Sequence, residues 1–504
     1  MRSMIGPGAA TTRLGATMTT PARTRVAPSP TGDPHVGTAY MALFDKAWAV
    51  RTGGRFILRI EDTDRNRLVP GSEQQIVETL DWLGLHPDES PVVGGPCAPY
   101  RQSERLDHYR PVVDRLIADG HAYHCWCSPE RLAAMREEKA ARKEDTRYDR
   151  LCHGMTRDER AELPGFTENP TVRMLVPDDA PTTFHDLIRG EVRAPFPDDQ
   201  VIMKADGFPT YHLAVVVDDH GMGITTVVRG EEWISSTPKH VLLHQWLGWR
   251  LPEFAHMPLL RNPDHSKISK RKNPAARLMW FKEQGYLPEA LRNFLQLLAY
   301  PPAPGDEEIS TFEQFVAGFD WGKVNTVGPV FDTKKLDWLN GHYIRELDDA
   351  ELGERLVEFI GENRQWGEHP DPAWEGVVRA AAGMIKPRLV KLSDAWDQIA
   401  FLTVPDDAVV VEDAALDRLK GDVAGILDAT TEALGPLEPF EADSIEAALR
   451  SRLVDGLGVK PRVAFAPLRT AISGRRVSPP LFESCQILGR AATLARIEGL
   501  RGRL

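Results

Sequence analysis

Residues 24–38 read Thr24-Arg25-Val26-Ala27-Pro28-Ser29-Pro30-Thr31-Gly32-Asp33-Pro34-His35-Val36-Gly37-Thr38, and the order of these residue types decides the fold. Thr24 to Ala27 is short and partly β-branched, which suits a strand. Pro28, Pro30, Gly32 and Pro34 then enforce a rigid turn. From Val36 the apolar residues Val36, Tyr40, Leu43, Phe44 and Ala47 recur at helical spacing, and Gly53-Gly54 ends the run. Arg55 to Ile60 supplies a second strand (Phe56, Ile57, Leu58, Ile60) that runs into Glu61-Asp62-Thr63-Asp64. Two parallel strands joined by a crossover helix follow from this order. Such a unit opens a doubly wound α/β sheet, whose ligands sit at the carboxyl ends of its strands.

Outward from this unit, Leu106 to Asp119 is helical in pattern. An irregular, cysteine-bearing stretch follows, then a charged helical run from Pro129 to Lys143. Strand-like segments return at Tyr211 to Val217 and at Ile224 to Arg229. A sheet interrupted by about a hundred residues and then resumed implies an insertion domain within the first fold. From Asn273, and especially after Asp332, helical periodicity dominates: Leu336 with Leu339, Val378 to Ile385, Leu416 to Leu427, Ala491 with Leu494. The expected architecture is an α/β N-terminal half, a doubly wound parallel sheet with an α+β insertion, followed by an all-α C-terminal half.

A chain of 504 residues exceeds one ordinary domain and suggests about three or four. Its 42% hydrophobic and 27% charged residues are those of a soluble globular protein, and no apolar run is long enough for a membrane-spanning helix. Met1 to Arg23, rich in Gly, Ala and Thr, reads as a disordered extension, with Met4 and Met18 as alternative starts. The formal charge, 61 − 73 = −12, favours solubility. It does not exclude RNA, because local basic surface supplies phosphate contacts. Such runs occur at Lys267 to Lys272, at Lys386 to Lys391, and around Arg450, Arg452, Lys460 and Arg462, although each is more often a solvated face. Five cysteines in so long a chain argue against a disulfide framework and for the reducing cytoplasm.

Chemistry concentrates in two segments. The first places His35 and Gly37 at the amino end of a helix that follows a strand. Backbone N–H groups there favour phosphate, Gly37 admits a flat adenine ring, and His35 can donate to a phosphate oxygen. The second, Lys267-Ile268-Ser269-Lys270-Arg271, offers two lysines three apart on a loop, closely preceded by Asn262-Pro263-Asp264-His265. Lys267 and Lys270 can neutralise a leaving pyrophosphate as charge builds up. Either segment alone is better explained as a proline-rich turn or a generic basic loop.

Together, flanking a two-part sheet, they resemble the two signature motifs of class I aminoacyl-tRNA synthetases. The match is closer than class level. The motifs at 25–32 (ArgValAlaProSerProThrGly), 59–64 (ArgIleGluAspThrAsp), 100–103 (TyrArgGlnSer), 211–214 (TyrHisLeuAla), 229–233 (ArgGlyGluGluTrp) and 267–271 resemble, in order and spacing, bacterial glutamyl-tRNA synthetases. The resemblance covers essentially everything after residue 22. It implies a catalytic domain at 23–105 and 200–268, an acceptor-binding insertion at 106–199 and a stem-contact domain at 269–345. Helical anticodon-binding domains are implied at 346–404 and 405–504, after the extension 1–22.

It further implies that Arg25 forms a two-pronged pair with the side-chain carboxylate of L-glutamate. Glu61 takes the α-ammonium, and Ala27, Ser29, Tyr211 and Arg229 complete the amino-acid pocket. Tyr211 and Trp233 could equally be core aromatics, and Arg229 could pair with Glu231 or Glu232. His35, Gly37, Lys267, Lys270, Glu232 and Trp233 fall to ATP, with Mg2+ on the phosphates. Family members carry out adenylate formation and then transfer to the terminal ribose 2′-hydroxyl of tRNA-Glu, typically only with tRNA bound, and many also charge tRNA-Gln. Arg388 matches a residue that reads the third anticodon base in some relatives. Cys125, Cys127 and Cys152 resemble the zinc-binding variant of the insertion, in which a histidine two after the last cysteine is Gly154 here. Tyr148, His153 or His124 could stand as fourth ligand to a structural Zn2+. Some relatives carry asparagine where this chain has Val215. A monomer is the expected state, with no membrane contact.

Overall fold

The computed structural model describes residues 20–268, 273–302, 307–363 and 373–504. The chain forms two compact units: Met1–Leu278 with Leu295–Phe331, and Met279–Phe294 with Asp332–Leu504.

In the first unit, strand β1 (Arg23–Val26) pairs in parallel with β2 (Arg55–Leu58), with Arg25 opposite Ile57. The crossover between them is the helix Val36–Thr52, as the periodicity predicts. Its start is fixed by His35, whose ring nitrogen accepts the Gly37 N–H at 2.9 Å, and its end by Gly53 in the left-handed region at φ 69°. The expected core residues Val36, Tyr40, Leu43, Phe44 and Ala47 are all buried. Gly54 is required for a different reason: a Cβ there would collide with the Ala22 carbonyl, which instead accepts the Arg55 N–H at 2.9 Å. That close approach sets the register of β2 on β1.

The sheet resumes with β8 (Thr226–Gly230), reached from β1 through Thr225 N–H to the Arg23 carbonyl at 3.0 Å. Beyond it, β9 (Glu253–Met257) is parallel to β8, and β5 (Thr183–Asp186) is parallel to β9 and antiparallel to β6 (Gly190–Arg193). The insertion builds its own antiparallel sheet from β3 (Ala122–Cys127), β4 (Phe166–Met174) and β7 (Val201–Met203), in the order β3-β4-β7. Strands from the two sides of residue 199 therefore exchange sheets: β5 and β6 join the large sheet, and β7 completes the small one.

One element differs in kind. Tyr211 to Val217, expected as a strand, is the start of the helix Tyr211–Gly221. Leu213 to Val217 are buried without a break, packed with Tyr109, Val113, Leu242 and Leu243 of neighbouring helices. Burial on all sides removes the 3.6-residue alternation, and packing overrides the strand preference of three consecutive valines. Val215 belongs to this core and does not line the cavity described below.

The second unit is helical throughout its described residues. Helices Asp349–Asn363 and Trp374–Ile385 pack Leu352, Leu356 and Ile360 with Val378, Ala381 and Ala382, in a core shared with Ile426, Ile445, Leu468 and Ile497. The helix expected from Leu416 to Leu427 is two: Asp413–Leu416 ends before Gly421 at φ 80°, and Asp422 caps Val423–Leu434 by accepting the Gly425 N–H at 2.9 Å. Ala491 and Leu494 lie on Leu481–Arg501, which kinks at Gly489. No helix among the described residues is long and apolar enough to cross a membrane.

Candidate active site

A cavity of about 900 Å³ opens in the first unit at the carboxyl ends of β1 and β8. Arg25, Ala27, Ser29, His35, Gly37, Glu61, Tyr211, Arg229, Glu232, Trp233 and Lys267 all line it. Lys270, like Ser269 and Arg271, lies outside the described residues.

Two buried cations form its floor. Arg25 leaves the end of β1 and is 3% exposed, a degree of burial that requires its N–H groups to be satisfied within the protein. Its Nε and Nη2 donate to the two carboxylate oxygens of Asp219 at 3.0 and 3.2 Å, and Nη1 donates to the Val228 carbonyl at 3.2 Å. Asp219 also accepts from Arg59 Nη1 at 2.7 Å, and Arg59 Nη2 donates to Glu61 at 3.2 Å. Burial alone would raise the Asp219 carboxyl, but Arg25 and Arg59 together hold it below the usual range. Glu61 is pushed up by burial, and Arg59 and Arg25 offset only part of that rise. Beneath this hub Asp218 takes Arg105 at 2.7 Å, Tyr109 at 2.8 Å and Gln102 at 2.8 Å.

Arg229, at the end of β8, pairs with neither Glu231 nor Glu232. Glu231 is bound to Arg189 at 2.7 Å, and Glu232 to Lys267 at 3.2 Å. Instead Arg229 donates to His256 Nε2 and His240 Nδ1, each at 3.0 Å, and to Thr237 Oγ1 at 2.7 Å. Burial, with Arg25 nearby, draws its pKa below the ordinary guanidinium value, although the Tyr211 phenol acts the other way. Tyr211 and Trp233 lie ring on ring, centroids 4.2 Å apart, and both face the cavity. On the helix side, His35 Nδ1 is the acceptor for Gly37, so in the neutral ring the proton sits on Nε2. A side chain at position 37 would press on that imidazole at 3.0 Å.

Sequence reasoning missed Arg59, Asp219, His240 and His256. A signal was present: Asp218-Asp219 follows five apolar residues, an expensive place for two carboxylates unless each has buried partners.

In the insertion, the ligand atoms of Cys125, Cys127 and Cys152 lie within 4.8 Å of one another, all three buried. Cys127 Sγ is 3.5 Å from Cys152 Sγ and 3.3 Å from the Tyr148 hydroxyl. His153 instead packs its ring against Tyr123, and His124 is exposed with its ring beside Trp126. In the second unit Arg388 is exposed, with one N–H on the Ser478 carbonyl at 3.3 Å. A second cavity there, about 930 Å³, is lined by Arg418, Lys420, Arg450, Arg462, Arg469 and Arg476 against a single carboxylate, Glu483.

Comparison with known proteins places these features. Residues 21–338 match the model for the catalytic domain of class I tRNA synthetases (E and Q), and residues 351–501 match an anticodon binding domain. The chain is 64% identical to the glutamate–tRNA ligase of Cutibacterium acnes, over 95% of this chain and 97% of the relative. It is 45% identical to that of Thermus thermophilus, over 94% and 98%. The crystal structure of a glutamate tRNA ligase from Elizabethkingia meningosepticum in complex with its amino acid superposes with a TM-score of 0.82 at 32% identity, covering 96% of this chain and all of that one.

Proposed function

The chain belongs to the glutamate–tRNA ligases of the class I tRNA synthetase family, and on that premise we propose that it activates L-glutamate with ATP as glutamyl-adenylate and transfers it to the terminal ribose 2′-hydroxyl of tRNA-Glu. The observation that carries this reading is the meeting, in one cavity, of two buried arginines and the half-buried Glu61 with the His35–Gly37 helix start and Lys267.

Arg25 serves the side-chain carboxylate. Asp219 and the Val228 carbonyl use three of its N–H groups, which leaves one on each terminal nitrogen for a ligand. Glutamine would set an amide N–H2 against these donors and is rejected because a buried charged group would go unpaired. Glu61, held by Arg59, receives the α-ammonium, and Arg229 adds positive charge for a carboxylate, beside Tyr211, Ala27 and Ser29. His35 Nε2–H donates to a phosphate oxygen of ATP. Gly37, Trp233 and Glu232 border the nucleotide, which brings Mg2+ with it as part of the substrate.

An α-carboxylate oxygen of glutamate attacks the α-phosphorus in line, and pyrophosphate leaves towards Lys267 and Lys270. The ribose hydroxyl then attacks the anhydride carbonyl and releases AMP. No protein nucleophile is required; positioning and charge stabilisation supply the rate.

The insertion 106–199 is assigned to the acceptor end, 269–345 to the stem, and 346–404 with 405–504 to the anticodon, with Arg388 as a base reader and the six-cation cavity as a phosphate-binding surface. The reaction belongs to the cytoplasm, and a monomer suffices for it. The thiol cluster fits a structural zinc: a tetrahedral zinc–thiolate site needs sulfurs ~3.8 Å apart, close to the 3.5 Å between Cys127 and Cys152. Cys125, Cys127 and Cys152 would supply thiolates and the Tyr148 oxygen the fourth ligand, tying β3 to the segment after residue 147.

The test is ATP-dependent attachment of labelled glutamate to separate tRNA-Glu and tRNA-Gln transcripts. Charging of tRNA-Glu alone is expected. Charging of both would keep the chemistry and remove Arg388 as a sufficient discriminator, and charging of neither would refute the reading.

A further inference from the structure

A buried arginine normally sits against a carboxylate, as Arg25, Arg59 and Arg105 do here. Arg229 does not. His256, His240 and Thr237, which take its N–H groups at 3.0 Å or less, are neutral acceptors, as is the Tyr211 phenol beside it, and the hydrogen bonds fix the state of the first three. Thr237 donates its hydroxyl proton to the Trp233 carbonyl at 3.1 Å, so towards Arg229 Nη2 it can only accept. His256 accepts from Arg229 at Nε2, so its proton is on Nδ1, where it meets Asp186 at 2.7 Å. His240 accepts from Arg229 at Nδ1, so its proton is on Nε2, facing His212 Nδ1 at 3.2 Å. Asp186, the nearest carboxylate along this chain of bonds, is turned away. It takes the backbone N–H groups of Ile188, Arg189 and His256, each at 3.0 Å, and stands on the far side of the imidazole. Burial holds both rings neutral, drawing His240 well below the usual histidine value and His256 to about 4.

We propose that His240 and His256 are positioning residues that grip Arg229 through neutral acceptors, so that its full positive charge is kept for a carboxylate of the bound substrate. Two carboxylate-facing cations in one cavity are thereby built on different plans. Arg25 is anchored and half-neutralised by Asp219, whereas Arg229 is anchored at no cost in charge. An acidic residue in place of either histidine would hold the guanidinium equally well and compete with the substrate for it.

The inference rests on the reading of Arg229 as a substrate contact, and the experiment separates the two. Asparagine Oδ1 stands where His240 Nδ1 does, so His240→Asn and His240→Asp present the same acceptor with and without a charge. Glutamine and glutamate do the same for Nε2 in His256→Gln and His256→Glu. Arg25 and the ATP side are untouched in all four, and the ring contact of His240 with Tyr211 is lost equally in both members of its pair. With full-length enzyme and tRNA present, the KM for glutamate is expected to be at least about tenfold higher in each acidic variant than in its amide twin. The KM for ATP is expected to agree within each pair. Melting curves check that both members of each pair are folded, and His256→Glu is expected to melt below His256→Gln because its carboxylate faces Asp186 without the imidazole N–H between them. Equal glutamate KM values within a pair, or a parallel shift in the KM for ATP, would overturn the proposal. Arg229→Met is the control: an unaltered glutamate KM there would remove the substrate role of Arg229, and the proposal with it.

Discussion

Arg25 and Arg59 share one carboxylate, Asp219, and each depends on it differently. If Arg25 is changed to glutamine, Asp219 keeps its bond to Arg59, so the fold should lose only about 1–3 kcal/mol. Glutamate-dependent ATP–pyrophosphate exchange should fall by about a thousandfold, because the guanidinium fork disappears with the charge. Near-normal exchange by a folded variant would dismiss Arg25 from the pocket. Asp45, in the crossover helix, presents the opposite situation. It is wholly buried, and no side-chain donor among the described residues reaches its carboxyl oxygens; only the Arg25 backbone N–H and cation favour its charged form. Burial pushes its pKa well up, and the Arg25 cation offsets only part of this. A raised native pKa means that the folded state holds its proton while the unfolded chain has lost it, so stability falls as pH rises above about 4. Asp45→Asn should therefore stabilise the protein at pH 7 relative to its effect near pH 4. Urea titrations at the two pH values measure this, and an equal effect at both would contradict it. The residues that line the cavity were legible in the sequence because they fall within the quoted motifs. Asp219 was not, since its partner Arg25 is 194 residues away and only the folded sheet brings them together.

At the scale of elements, the strand–helix–strand start was readable because proline, glycine and helical spacing agree there. The helix Tyr211–Gly221 was not, because a buried run of valines reads alike in a strand or a helix. The split at Gly421 was hidden as well: apolar residues on both sides keep a helical phase across a short loop. The clustered cysteines were visible, but the choice of Tyr148 over His153 came only with the turn that brings its hydroxyl to Cys127. Freshly purified protein should hold about one zinc per chain, measured by plasma emission. Stripping it with a chelator should lower the melting temperature and expose the three thiols to a thiol reagent at once. A metal-free preparation that melts normally would end the zinc assignment.

The whole chain carries a net charge of −12, yet its helical unit gathers six cations around one cavity. Composition conceals this, because an excess of acidic residues elsewhere outweighs it. Binding of tRNA should weaken steeply with salt despite the acidic total. Arg388→Gln should reduce kcat/KM for tRNA-Glu by about 10- to 100-fold and leave the KM for glutamate unaltered, as aminoacylation with varied tRNA would show. An unchanged kcat/KM would exclude Arg388 as a base reader. The shared carboxylate of Asp219 has one more consequence, in the order of synthesis. A ribosome that has translated as far as residue 200 has already made Arg25, Arg59 and Glu61, but not the anchor that aims them. Until the helix Tyr211–Gly221 leaves the exit tunnel, Arg25 has no carboxylate to hold it and Arg59 has only Glu61. The aiming of Arg25 is thus a late event in synthesis, set by a residue made 194 positions after it.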